Sequence, residues 1–205
     1  MNVYAESNFV LEHALQQEGS DSCGEIIRLA SAGKITLVVP AFSLAEPYQA
    51  ISGKEKARLR LVEDLRGHLR ELARSKPHRE ILTTFKEFAD VLIGSAQLER
   101  DGLRETVSEL LASVEIMPLD ATVLRSGVDM EARFRLSGQD AIVLASVLQH
   151  LEATQPNESC FLNRNSKDFD EPEILTKLEE MHCKFFSNFT KAHAYVVSRL
   201  GKSAG

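Results

Sequence analysis

Apolar residues gather along this chain in two rhythms, short β-branched or aromatic runs and longer stretches with helical spacing. Val3-Tyr4-Ala5 is short and apolar, and Glu6-Ser7-Asn8 follows at once, which predicts a buried strand and then a helix capped by Ser7 or Asn8 and carrying Phe9, Val10, Leu11, Ala14 and Leu15. A polar break at Gly19 to Gly24 precedes a short helix through Ile26, Ile27, Leu29 and Ala30 that ends near Gly33. Ile35-Thr36-Leu37-Val38-Val39 is the strongest strand pattern, stopped by Pro40, and belongs near the centre of a sheet. Ser43 precedes Glu46 as in a capping box, yet Pro47 disfavours a helical residue before it, so Glu46 is expected in a turn ahead of the next helix.

Lys54 to Arg79 reads as one or two helices with Ala57, Leu61, Leu65, Leu69 and Leu72 as the apolar stripe, and helical spacing continues from Ile81 to Ser113 with breaks near Gly94 and Gly102. Val114 to Met117 is a strand candidate, and Asp120 or Thr122 starts a helix running to about Leu136. Ser137 then caps a helix in which Ala141, Leu144, Ala145, Leu148 and Leu151 repeat, with Ile142, Val143 and Val147 filling the other sides, so that most of its circumference is apolar. Ser159 to Leu162 and Cys183 to Phe186 are the last strands, with helices at Pro172 to Leu178 and Thr190 to Leu200. Strands separated by helices predict an α/β fold with a central, mostly parallel sheet of about five strands flanked by helices. The expected organisation is a single domain over residues 1–200, with an extended helical insertion at about 53–113 and a flexible tail at 201–205.

Composition narrows the chemistry. A chain of 205 residues with 43% hydrophobic content can fill a sizeable core. The formal net charge of -6 argues against a broadly basic surface, so any nucleic-acid contact needs a local patch. The Lys54–Arg79 stretch is the one clearly basic region, with Arg58, Arg66, Arg70 and Arg74 as candidate phosphate contacts; the plainer alternative is a solvated helix face. Cys23, Cys160 and Cys183 are far apart and form no C-x-x-C pair, as expected of reduced thiols in a cytoplasmic protein, and no apolar run suits a membrane span. Motifs for triphosphate binding, serine hydrolysis, dinucleotides and H-E-x-x-H zinc sites are absent.

Polar clusters follow the apolar strands: Glu6 after the first, Glu46 after the second, and Asn165 with Asp168 after Cys160 to Leu162. Right-handed crossovers send those strand ends to one edge of the sheet, and the inward Asp140 precedes the strand that delivers Asp168. Asp140 also fits a cap with Ser137, and on sequence alone that role has an equal claim. Clustered carboxylates repel one another and call for a cation, and hard oxygen ligands select Mg²⁺ or Mn²⁺.

The order of these segments resembles the PIN-domain family of metal-dependent nucleases. Val3-Tyr4-Ala5-Glu6-Ser7-Asn8 resembles its opening strand and Asp-Thr-Asn signature, with Glu6 where the family normally has Asp. Glu46 after Pro40 is similar to its second acid, Gly138-Gln139-Asp140-Ala141 to its third, and Phe161 through Phe169 to its last segment. The resemblance implies an endoribonuclease that hydrolyses RNA phosphodiesters with Mg²⁺ or Mn²⁺ held by Glu6, Glu46, Asp140 and Asp168, with Ser7, Asn8 and Asn165 in support. It also implies a toxin-type protein with an antitoxin or other protein partner, or a processing enzyme, and homodimers are common in the family. The alternative is a catalytically degenerate module that binds RNA or protein on the same fold.

Overall fold

The computed structural model describes residues 1–165 and 169–203. Its centre is a five-stranded sheet in the order β3-β2-β1-β4-β5, built from β1 (Asn2–Ala5), β2 (Thr36–Pro40), β3 (Glu115–Met117), β4 (Ser159–Leu162) and β5 (Cys183–Phe186). Every pairing is parallel, with Val3 beside Leu37 on one side and beside Cys160 on the other. The three central strands are buried on both faces over Val3 to Ala5, Leu37 to Pro40 and Ser159 to Leu162, as parallel strands are when crossover helices cover them. Val3, Ala5, Leu37, Val39, Cys160 and Leu162 belong to one core, and Tyr4, Val38, Phe161 and Cys183 to the other. The expected α/β architecture is the one observed.

Helices α1 (Ser7–Ala14), α2 (Ser20–Ser31) and α8 (Phe189–Ser203) cover the first face; α6 (Gly138–Thr154) and α7 (Pro172–Glu180) cover the second, with α5 (Ala121–Phe134) packed on α6. Helix α8 continues to Ser203, into the stretch expected to be a tail. On α6, Ala141, Leu144, Val147, Leu148 and Leu151 are buried, as its spacing predicts. The helix is also pinned by His150, which hydrogen-bonds with Tyr4 Oη of β1 at 2.9 Å and with Glu115 of β3 at 3.0 Å. The C-terminal part of α6 is thereby tied to β1 and β3.

Three local expectations differ from the structure. Glu6 itself is the N-cap of α1, because its carboxylate accepts the Asn8 N–H at 3.0 Å, and Ser7 is the first helical residue. Glu46 is not in a turn: α3 (Ala41–Leu72) starts directly after β2 and runs through Pro47. The proline leaves the Ser43 carbonyl without its intrahelical donor, a cost that burial of Leu44, Pro47 and Ile51 offsets. Third, α4 (Ile81–Ser113) passes through Gly94 and Gly102 without a break.

The helices α3 and α4 form an antiparallel hairpin joined through a 3₁₀ turn at Lys76–His78. Ala89, Ala96, Leu103 and Leu110 are buried at intervals of seven residues, the repeat of a coiled-coil seam. Two ionic layers cross it. Arg58 donates to Ser95 Oγ at 2.9 Å and Glu99 Oε1 at 2.7 Å, and Arg100 donates to Glu55 Oε2 at 2.6 Å. Gly102 has a packing reason, since a Cβ there would lie 2.4 Å from the Ala14 carbonyl oxygen at the end of α1.

Candidate functional site

The sheet order reverses direction at β1: the chain moves from β1 outward to β2 and β3, then crosses back to β4 on the other side. Such a switch point leaves a crevice at the carboxyl ends of the strands. Glu6 leaves β1 at that edge, and Asn163 leaves β4 beside it, one step beyond the paired Ala5 and Leu162. Glu46 sits in the second turn of α3 after β2, and Asp140 in the first turn of α6. The topology therefore carries Glu6, Glu46 and Asp140 from separate stretches of sequence to one edge.

Each acid is held by a short-range partner. Glu6 is 4% exposed, and its carboxylate faces the Asn8 N–H. Ser7 Oγ donates to Glu46 Oε2, linking the first turn of α1 to α3. Ser137 Oγ accepts the Asp140 N–H at 3.1 Å and donates to Asp140 Oδ2 at 2.7 Å, so the cap and the acid are one unit. Burial is the main force on Glu6 and pushes its carboxyl from 4.5 up to about 8; the Asn8 contacts oppose this, and the charges of Glu46 and Asp140 add to it. Those like charges are felt because the carboxylates converge.

On the β4 side, Asn163 Oδ1 accepts the Asn165 N–H at 2.8 Å. Asn163 is 1% exposed and its Nδ2 has no partner among the described residues. Sequence reasoning singled out Asn165 and passed over Asn163, whose signal is a polar residue ending a strand that is buried throughout. It also passed over Arg164 and the buried Glu12, which pair at 2.5 Å. Asp168 lies outside the described residues. Of the arginines, Arg58 is engaged with Ser95 and Glu99 inside the hairpin, whereas Arg66 and Arg70 on α3 and Arg74 just beyond it are exposed.

Converging carboxylates are hard donors that suit a divalent cation, which would offset both the burial that chiefly raises Glu6 and the added charges of Glu46 and Asp140. Among the described residues, no group of three or more His, Cys, Asp or Glu side chains is spaced to hold a metal ion. The donor chemistry fits such an ion, and the described spacing does not by itself close around one.

A family model for the PIN domain matches residues 3–169. The chain belongs to the PIN-domain family. This is a nuclease-type family that generally depends on divalent metal. No curated protein matches the sequence. Among solved structures, this PIN domain is similar to one in the crystal structure of VapBC2 from Rickettsia felis bound to a DNA fragment from their promoter, with 11% identity, a TM-score of 0.47, and coverage of 91% of this chain and 98% of that one. No helix among the described residues of this PIN domain is long and apolar enough to cross a membrane.

Proposed function

We propose that this PIN domain is a metal-dependent endoribonuclease that hydrolyses RNA phosphodiester bonds at the edge where Glu6, Glu46 and Asp140 meet. The observation that carries the reading is that β1, α3 and α6 bring Glu6, Glu46 and Asp140 to one edge of the sheet in a chain of a nuclease-type family, with Glu6 buried there. Glu6, Glu46, Asp140 and Asp168 would hold Mg²⁺ or Mn²⁺. The chemistry a bound ion supplies is activation of the attacking water near neutral pH and neutralisation of charge developing on the phosphate.

The chain's own groups do the rest. Ser7 fixes the Glu46 carboxylate by donating to Oε2, and Ser137 fixes Asp140 by donating to Oδ2. The Asn8 N–H orients Glu6, whose buried carboxyl is pushed up to about 8 and so retains its proton near neutral pH. Asn165, on the loop leaving β4, would hydrogen-bond beside the scissile phosphate. Arg66, Arg70 and Arg74 would follow the RNA backbone by charge, as sequence-independent contacts do.

A second reading is favoured by one observation. Glu6 caps α1 from a buried position and no described trio of side chains is spaced for a metal, as in a degenerate module that binds RNA or protein without turnover. Manganese titration followed by electron paramagnetic resonance, with RNA cleavage measured in parallel, separates the two. Saturable Mn²⁺ binding and Mn²⁺-dependent cleavage, both lost in Asp140→Asn, are expected of the nuclease. Absence of both in the wild type favours the module, and unchanged cleavage in Asp140→Asn refutes the assigned site.

A further inference from the structure

The loop that leaves β4, Asn163-Arg164-Asn165, is tied down on both sides. Asn163 donates its N–H to the Phe186 carbonyl at 3.1 Å, and its Oδ1 accepts the Asn165 N–H at 2.8 Å. Between them, Arg164 reaches away from the loop to Glu12 of α1, Nη1 to Oε2 at 2.5 Å. The Glu12 side chain is 3% exposed while that of Arg164 is 51% exposed, so a buried carboxylate meets a guanidinium with one side in solvent.

A buried carboxylate is costly unless its oxygens are satisfied, and Glu12 divides its two with no slack. Oε1 accepts the Gly19 N–H at 2.6 Å, and Oε2 takes Arg164. Gly19 has little room for a side chain, since a Cβ would lie 3.0 Å from Glu12 Oε1 and 3.3 Å from the Phe189 ring. The Glu12 carboxylate is thus fixed in position by the turn between α1 and α2, and it passes that fixity to Arg164. The same α1 has Glu6 as its N-cap and Ser7, the partner of Glu46, as its first residue. One rigid helix therefore connects the acids at its N-terminus to the β4 loop through Glu12, further along it.

We propose that Glu12 and Arg164 form a clamp that sets the β4 loop, with Asn163 and Asn165, against the acids at the start of α1. The inference rests on the ribonuclease reading for its effect on turnover, though the clamp itself does not. Both are positioning residues: neither Glu12 nor Arg164 needs to touch RNA. Small displacements of groups around a reacting centre cost rate far more than they cost binding.

The test uses the full chain with Arg164→Gln, Arg164→Lys, Glu12→Gln and the double Gln variant. Hydrogen exchange at the Asn165 amide, followed by NMR without divalent ions, reads the clamp directly. Steady-state cleavage of RNA in Mn²⁺ reads its consequence. Exchange at Asn165 is expected to quicken about tenfold in Arg164→Gln while amides of β1 and β2 are unaffected, and kcat to fall about tenfold with KM unchanged within about twofold. Glu12→Gln should reproduce both effects, the double variant should be no worse than either single one, and Arg164→Lys should recover part of the loss. Arg164→Gln removes only the half-exposed partner, so it stands as the decisive variant should Glu12→Gln fold poorly. Unchanged Asn165 exchange overturns the clamp, and a rise in KM alone overturns it by making Arg164 an RNA contact. If the wild type cleaves nothing, the ribonuclease reading fails separately, and the exchange measurement still decides for or against the clamp.

Discussion

Replacing Glu6 with glutamine tests the burial of this acid at the candidate site without recourse to catalysis. In the folded, metal-free protein the Glu6 carboxyl is pushed up to about 8 from 4.5, chiefly by burial, whereas in the unfolded chain it titrates normally. Between those values the folded state keeps a proton that the unfolded state releases, so stability is greatest below about pH 4.5 and falls as pH rises through 8. Integrated from pH 5 to pH 9, this group alone removes about 4 kcal/mol of folding free energy. In Glu6→Gln the side-chain amide oxygen would still accept the Asn8 N–H, and the amide has no proton to lose. Urea denaturation of both proteins at pH 5, 6, 7, 8 and 9 in EDTA, with all other titrating groups common to the pair, isolates the effect. The variant should gain on the wild type as pH rises, by about 4 kcal/mol across the range, most of it between pH 5 and 8. Parallel pH profiles would refute the reasoning, because they would mean that Glu6 titrates as a solvated acid and that its neighbours do not crowd it. Adding Mn²⁺ should flatten the wild-type profile if the acids take a cation and leave the glutamine variant with the weaker response.

Other outcomes are as specific. Asp140→Asn should abolish Mn²⁺-dependent cleavage while shifting stability by less than about 1 kcal/mol, since the Ser137 Oγ cap of the Asp140 N–H survives; circular dichroism on melting checks the fold. Gly102→Ala should destabilise by about 1–3 kcal/mol because its Cβ would meet the Ala14 oxygen at 2.4 Å, although helix propensity alone predicts a gain; a urea midpoint above the wild type would contradict the packing. The triple variant Arg66→Gln, Arg70→Gln, Arg74→Gln should reduce the slope of log binding constant for single-stranded RNA against log salt by about 2, and an unchanged slope would return α3 to a solvated face.

What the sequence made legible was what local chemistry decides. The short runs with aromatic residues at Ser159–Leu162 and Cys183–Phe186 became strands at those residues, and Ser137 capped α6 as its spacing indicated. The alternation of strands and helices sufficed for the parallel sheet, because parallel α/β topology leaves few arrangements. Long-range packing decided the rest. Pro47 reads as a helix breaker, yet buried neighbours hold it within α3, and Gly94 and Gly102 are spanned because a seven-residue seam runs along α4. The pairing of Glu12 with Arg164 spans 152 positions and no window shows it. Its one local trace is an acid on the inward face of α1, three residues beyond the buried Phe9.

The central position of β1 has a consequence for synthesis. Its residues leave the ribosome before those of the other four strands, yet one of its two neighbours is β4, so that Val3 waits for Cys160 across roughly 150 residues of chain. Until then the β4 side of β1 is an open edge with no strand to pair it and no Asn163-Arg164-Asn165 loop beside Glu6. A polypeptide interrupted between α6 and β4 carries Glu6, Glu46 and Asp140 without the strand that closes their crevice. For a protein whose proposed activity is to cut RNA, assembly of the cutting edge is thereby postponed until β4 has been translated.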